Sequence, residues 1–343
     1  MATLDIFNSD AFKLTSMMQA IREVDYLPMR LGELGIFTPT PVRTETVAIE
    51  KLGETLSLIQ TSNRGAPPDD RNTEKRTVRN FNTVRIAKKD RIMASELAGI
   101  RAFGTESELM QVQSEIARRL AGPGGLLSEI ELTLENMRLG AIQGIVTDAD
   151  DSTIIDWYSA FGVTQPTEID FDLDNASPAS GAVRKKCSQV VRAMMKAAKG
   201  AWIPSTRIHA LCGDAFWDDL TAHVEVRETY LNTMSAADLR LGNTYESFTY
   251  GGITFENYRS TDDGSTVAIG TDKCKFFPVN APGVFREVFS PGERFEHIGQ
   301  IGQKVYPLIV RDRERDMFAD IEAYSYPLHV CTRPLMLQSA RRT

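Results

Sequence analysis

The sequence predicts an α+β protein of two lobes with a long β extension, and three stretches carry that prediction. Between Pro41 and Arg91 two β-branched arms flank a loop. From Thr105 to Val146 an apolar repeat keeps helical spacing, and from Ser180 the order becomes helix, strand, helix. A chain of 343 residues also exceeds what one core usually organises, which favours two lobes over one.

The extension is the most unusual of the three. Its arms, Arg43 to Thr61 and Arg76 to Ile92, set β-branched residues such as Val47, Ile49, Val84 and Ile86 among polar ones, the pattern of strands wetted on one face. Ser62 to Lys75 holds Gly65, Pro67, Pro68, Asp69 and Asp70 and is a loop by composition. From Ser62 to Arg91 nine Lys or Arg stand against four Asp or Glu, in a chain of net charge −7. A ribbon whose tip opposes the sign of its body is shaped to lie on something else; a solvated surface hairpin is the plain alternative.

Composition bounds the function. With 42% hydrophobic and 25% charged residues the chain is of ordinary globular type. Its apolar runs are too short to cross a membrane and the opening MATLDIFNSD lacks a signal-peptide pattern, so a cytoplasmic chain is expected. Cys187, Cys212, Cys274 and Cys331 lie far apart without a CxxC pair and read as buried free thiols. The acidic balance argues against an avid nucleic-acid binder.

In chain order, Asp10 to Val24 is a short amphipathic segment with Phe12, Met17, Ile21 and Val24 on one face, and Ala94 to Phe103 is a second short helix. Thr105 with Glu108 fits a capping box that opens a long helix through Leu109, Val112, Ile116 and Leu120. Gly122, Pro123, Gly124 and Gly125 should break or kink it, yet the pattern resumes in Leu127, Ile130, Leu134, Met137, Ala141 and Ile145. The two pieces would span about 60 Å if collinear; two helices packed as a hairpin are the alternative.

Ile142 to Thr147 and Thr153 to Tyr158 predict a hairpin around an acidic turn. Asp148, Asp150 and Ser152 invite a calcium reading, which fails because Thr153 replaces the required glycine and Ser159 the bidentate Glu. A lobe boundary is expected near Gly162 to Pro178. Beyond it come a helix over Val183 to Lys199, a strand over Thr206 to Cys212 and a helix over Asp214 to His223.

His209, Cys212 and Asp214 have the residue types of a nucleophile and its base, but residues three apart on a strand point to opposite faces. His223, His297 and His329 stand isolated, and no phosphate-cradling loop, HExxH or GxSxG is present. No catalytic residue, cofactor or metal is expected. Ser247 to Tyr258 reads as a hairpin about Gly251-Gly252, followed by a charged loop through Asp262 and Asp263 and a return strand over Thr266 to Gly270. Val305 to Val310 and Phe318 to Leu337 close the chain as strands.

Several of these residues carry a resemblance. Tyr250 to Phe255, Phe277-Pro278-Val279 followed by Pro282 to Glu287, Tyr306-Pro307 and Pro334 to Ser339 resemble a major capsid protein of tailed bacteriophages, of the lambda-type E family. Leu139 to Gly144 and Phe37-Thr38-Pro39 fit as well. The order and spacing of these stretches, over nearly the whole chain, carry more than any one of them.

The resemblance implies the Hong Kong 97 type capsid fold. Residues 1–40 would be an N-terminal arm, 41–92 the E-loop, 93–180 the peripheral (P) domain with its spine helix 105–146, 181–313 the axial (A) domain, and 314–343 P-domain strands and the C-terminus. It implies a virion protein, assembled in the host cytoplasm into hexamers and pentamers that enclose double-stranded DNA without reading its sequence. A separate scaffolding protein, a portal protein and a decoration protein would be its partners, with no membrane. Arg64, Asp69, Asp70, Arg71, Glu74, Arg76 and Arg79 of the E-loop would meet neighbouring subunits, and Arg259, Asp262 and Asp263 would lie in an axial loop. The rival readings are a DNA-binding protein using the basic hairpin 62–91 and an enzyme with an unrecognised pocket.

Overall fold

A computed structural model describes residues 30–51, 77–99, 108–122, 124–175, 177–231, 247–259, 261, 267–315 and 317–343. The predicted amphipathic segment at Asp10 to Val24 and the cap at Thr105 lie outside the described residues. In chain order the elements begin with α1 (Arg30–Glu33), β1 (Thr38–Pro39), β2 (Thr46–Lys51), β3 (Thr77–Asn82), β4 (Ile86–Met93) and α2 (Ala94–Gly99). Next come α3 (Glu108–Ala121), α4 (Leu126–Gln143), β5 (Ile145–Thr147), β6 (Thr153–Asp156), α5 (Trp157–Phe161) and β7 (Ile169–Asp170). These are followed by α6 (Ala182–Ala198), β8 (Arg207–Cys212), α7 (Asp214–Ala222), α8 (Val224–Leu231), β9 (Ser247–Tyr250) and β10 (Ile253–Asn257). The chain closes with β11 (Lys273–Val279), β12 (Phe285–Phe289), β13 (Tyr306–Arg311), β14 (Phe318–Ser325), β15 (Pro327–Cys331) and β16 (Gln338–Arg341).

One lobe is a six-stranded sheet in the order β7-β16-β11-β8-β10-β9. At its centre β8 runs parallel to β10 and antiparallel to β11. Ile208, Ala210 and Cys212 face one core, shared with Val183, Val190 and Met194 of α6 and Phe216 and Leu220 of α7. Leu211 faces the other, shared with Met137 and Ile142 of α4 and Phe277 of β11. A strand covered on both sides reads as a continuous apolar run, which is why Ile208 to Cys212 shows little polar alternation.

Helix α4 joins the lobes. Leu126, Ile130 and Leu134 enter a third core with Ile116 and Leu120 of α3, Ile92 of β4 and Ile321 of β14, while Met137, Ala141 and Ile142 enter the core beneath β8. Each fully buried Leu or Ile contributes roughly 1.5–3 kcal/mol. The predicted break is real: α3 ends at Ala121 and α4 begins at Leu126. Gly125 N–H donates to Gly122 O at 2.8 Å, and a Cβ at Gly122 would fall 2.4 Å from Arg118 O, so only glycine closes this turn.

Three small sheets complete the body: β13-β14-β4, β1-β12-β15 and the hairpin β5-β6, the second made by β1 running parallel to β12. Residues 285–289 and 306–311 belong to these small sheets, whereas β16 inserts between β7 and β11 of the large one.

Two predicted strands end differently. The strand expected to reach Tyr158 stops at Asp156, whose Oδ1 accepts from Tyr158 N at 2.9 Å and Ser159 N at 3.3 Å, capping α5. Of the return strand expected over Thr266 to Gly270, the described residues 267–270 are irregular.

Candidate functional site

The β2–β3 ribbon leaves the body at a well-packed base. The two strands pair antiparallel from Thr46 opposite Asn82 to Lys51 opposite Thr77, which sets Val47 against Phe81 and Ile49 against Arg79. Phe81 packs on Trp157 with ring centroids 5.2 Å apart and on Phe161 at 6.5 Å. The Arg79 guanidinium donates to the Ala160 carbonyl at the end of α5. The ribbon is thus fixed on one short helix, and Lys51 and Thr77 stand at the end of the ladder away from it.

The second predicted arm is two strands rather than one. At Thr83 the chain turns, with Thr83 N–H donating to Glu45 O (3.1 Å) and Val84 N–H to Pro327 O (2.9 Å), and β4 then pairs along its whole length with β14. The cause is Ile92, buried against α3 and α4, which commits this segment to the body. Basic residues assigned to the ribbon are therefore paired within the body: Arg85 with Glu293 (3.1 Å), Lys88 with Glu129 (2.6 Å), and Lys89 and Arg91 with Asp320 (3.3 and 2.6 Å).

The body holds a buried charge network. Arg138 of α4, 3% exposed, donates to Glu287 of β12 (2.9 Å), to Glu131 (3.0 Å) and to Glu135 (3.4 Å). His329 of β15 places Nε2 2.9 Å from the same Glu287 oxygen, and Lys304 closes on Glu131 at 2.6 Å. Burial pushes the Glu287 carboxyl up, but His329 and Arg138 more than offset this and hold it down at about 2. Burial raises Glu135, although its oxygens accept from the N–H groups of Leu31 (2.7 Å) and Gly32 (3.2 Å) in α1. A second cluster fastens the same segment, because Glu256 of β10 accepts from Arg30 and lies 3.0 Å from His209 Nε2. These charges tie α1, α4, β10, β12 and β15 into one body.

Of the predicted contact residues, Arg79 lies on its own chain's Ala160. Arg64, Asp69, Asp70, Arg71, Glu74, Arg76, Asp262 and Asp263 lie outside the described residues. Arg259 is exposed just beyond β10, at the end of the large sheet where β8 ends in Cys212. His209, Cys212 and Asp214 do not converge: they meet Glu256, Cys274 (Sγ to Sγ 3.3 Å) and Asn257 (3.0 Å) respectively.

The histidines read as isolated have partners. His329 holds Glu287, His297 packs at a tilt on Tyr306 with centroids 4.7 Å apart, and His223 Nδ1 accepts from Glu225 N–H at 3.3 Å. Asp148 and Asp150 of the acidic turn accept from the backbone N–H groups of Ala149 (2.8 Å) and Ser152 (3.1 Å). The network around Arg138 was not foreseen. Its signal is the spacing of Glu135 and Arg138 among Leu134, Met137, Leu139 and Ala141, apolar positions where unpaired charge would be costly.

Known proteins share this architecture. A prophage protein from E. coli CFT073 described as a capsid protein superposes with a TM-score of 0.52 over 96% of this chain and 99% of its own, at 13% identity. The capsid of cyanophage P-SCSP1u gives 0.51 over 90% and 86%, at 10% identity. The fold is thus the α+β Hong Kong 97 type. In sequence, the major capsid proteins of Salmonella phage Felix O1 and Pseudomonas phage KPP10 are each 26% identical, covering 93% and 96% of this chain and 94% and 96% of their own. Residues 13–342 match the family described as phage major capsid protein E. A ribbon standing on a charge-locked body, with sequence agreement over almost its full length, makes the chain a member of the phage major capsid protein E family, the shell-forming proteins of tailed-phage heads.

Proposed function

We propose that this major capsid protein builds its shell from hexamers and pentamers in which each ribbon lies on an adjacent subunit. The observation that carries the reading is that, among the described residues, β2 and β3 are held on α5 from their Thr46–Asn82 end, with Lys51 and Thr77 at the other. Phe81 and Arg79 fix the base on α5, and residues 52–76 connect the opposite ends of the two strands. In this reading 41–82 is the E-loop, α3 and α4 are the spine of the P domain, and the six-stranded sheet is the axial lobe, with Arg259, Asp262 and Asp263 toward the axis. Arg64, Arg71 and Arg76, with Asp69, Asp70 and Glu74, meet the neighbour. Each exposed pair contributes only about 0–1 kcal/mol, and repetition around closed rings makes the sum count.

The protein acts without catalysis, encloses double-stranded DNA, is assembled in the host cytoplasm, and works with a separate scaffolding protein, a portal and a decoration protein. The test is particle formation by the chain expressed alone and with its neighbouring phage genes, followed by light scattering and negative-stain microscopy. Rings or shells are expected, and their loss on deleting residues 64–75 would support the ribbon's role. A monodisperse monomer in both preparations, at every salt and protein concentration, would overturn the reading. The DNA-binding rival has no support of its own, and four of the nine basic residues it relies on, Arg85, Lys88, Lys89 and Arg91, are paired within the body.

A further inference from the structure

Between β12 and β13 the chain makes a short 3-10 turn, Phe295–His297, that exposes what globular surfaces usually hide. Phe295 is 94% exposed, Ile298 72% and Ile301 52%, forming an apolar ridge of one aromatic and two β-branched side chains. Beside the ridge is an open-mouthed pocket of about 130 Å³, walled by the rings of His297, Tyr306, Tyr324 and Tyr326 with Glu293, Arg294 and Leu308 also lining it. An apolar cavity of about 150 Å³ accepts a benzene ring, so this pocket is of the size that takes one phenyl group.

Both parts are built stiffly. Tyr306 lies between His297 (ring centroids 4.7 Å apart, tilted) and Tyr326 (5.9 Å, edge-on), and its hydroxyl accepts from Gln303 N–H at 2.7 Å and donates to Ser290 O at 3.3 Å. Arg85 lies over the Tyr324 ring at 5.1 Å and pairs with Glu293 at 3.1 Å, which holds the rim. A Cβ at Gly292 would fall 2.8 Å from the His297 ring, so the loop's approach to the pocket wall requires glycine. The turn itself is closed by His297 N–H donating to Arg294 O at 2.9 Å.

We propose that Phe295 of one subunit inserts into this aromatic pocket of a second copy of the same chain, forming a contact between copies separate from the ribbon. Three observations select a second copy as the occupant. Knob and pocket sit side by side on one surface, so every subunit offers both halves of the contact. Their chemistry matches, an exposed phenyl ring beside a ring-lined pocket of phenyl size. The flanks also carry both signs, Arg294 with Glu296 at 2.7 Å beside the knob and Glu293 with Arg85 at 3.1 Å at the rim, so a second copy brings an opposite charge for each of them. Because knob and pocket are adjacent, copies exchanging them meet close to a symmetry axis, and the contact closes rather than propagating. Buried aromatic anchors in pockets dominate protein interfaces.

The inference rests on the shell-forming reading, which particle formation by the wild-type chain tests by itself. The test uses Phe295→Ala, Phe295→Leu and Leu308→Trp, the last filling the pocket mouth, each in the full chain. Far-UV circular dichroism and the melting temperature of the unassembled subunit confirm that each variant folds. Phe295→Ala and Leu308→Trp are expected to raise the protein concentration needed for assembly at least about tenfold, with Phe295→Leu in between. In wild-type particles a photo-reactive benzoyl-phenylalanine at position 295 is expected to link to the segment 306–308 or 324–326 of another copy. Wild-type particle yield from both the Ala and the Trp variants would overturn the proposal. So would cross-linking of position 295 to a different protein, or to no chain, within well-formed particles.

Discussion

Arg138 Nη2 donates to Glu287 Oε1 at 2.9 Å across 149 residues of chain, joining the helix that links the lobes to the strand that pairs with β1. Glu131 and Glu135 crowd the same guanidinium, so removing it would leave three carboxylates in an interior with one histidine and one lysine to balance them. Arg138→Met is expected to destabilise the subunit by about 3–5 kcal/mol, the range for breaking a buried ion pair from one side, as a fall in the urea midpoint. A change below 1 kcal/mol would show the network to be ornamental.

The same carboxylate sets an acid limit. Glu287 titrates at about 2 in the folded chain against an ordinary 4.5, so between those pH values the unfolded chain holds more protons and stability falls as pH falls. His329 acts earlier with the same sign, since burial holds its ring below the ordinary 6.5 and the unfolded chain protonates first. Subunit stability is therefore expected to drop as pH is lowered from neutrality toward 2. Glu287→Gln should flatten the lower part of that profile, measured by denaturant titration at a series of pH values.

Gly140 lies inside α4, where alanine would ordinarily add about 1 kcal/mol of helix propensity. Here a Cβ would meet Ile145 O at 2.7 Å and Val146 Cα at 2.8 Å, both backbone of β5. Gly140→Ala is expected to destabilise by about 1–3 kcal/mol through forced shifts, seen as a lowered melting temperature. A stabilised variant would mean that β5 can move aside.

Phe81 holds the ribbon to Trp157 and Phe161. Phe81→Ala removes an aromatic contact of roughly 2 kcal/mol including its buried area. Amide exchange in β2 and β3 is expected to speed up roughly thirtyfold, with the six-stranded sheet unchanged. Equal acceleration in both regions would show that the ribbon base is part of the global unit.

Cys187, Cys212, Cys274 and Cys331 are all buried free thiols. Cys212 and Cys274 sit opposite each other on β8 and β11, and burial raises Cys187 and Cys331 to about 12. Thiolate is the reactive form, so alkylation with iodoacetamide at pH 8 is expected only after denaturation. Labelling of the native subunit would indicate opening of the large sheet.

Local patterns were legible in the sequence where neighbours in the chain settle the conformation. The Gly251-Gly252 hairpin, the glycine-rich break between α3 and α4, and the helix expected over Val183 to Lys199 and found as Ala182–Ala198 all follow from residues within a few positions of one another. Pairings across long separations were not. Nothing near His329 announces Glu287, and nothing near Ile86 shows that β4 leaves the ribbon for β14. The helix at Trp157 was hidden because its apolar residues also fit a strand, and one Asp156 cap decided the matter. For the contact surface, sequence pointed to charge in the ribbon, whereas the described body exposes an aromatic knob at Phe295 that no motif marks.

The placement of β16 has a bearing on how the protein is made. Residues 338–341 fill the gap between β7 and β11, so until they emerge from the ribosome β11 has an open edge and β7 has no partner. A chain lacking residues 338–341 would leave β11 with an open edge and β7 without this pairing, a backbone surface open to proteolysis and mispairing.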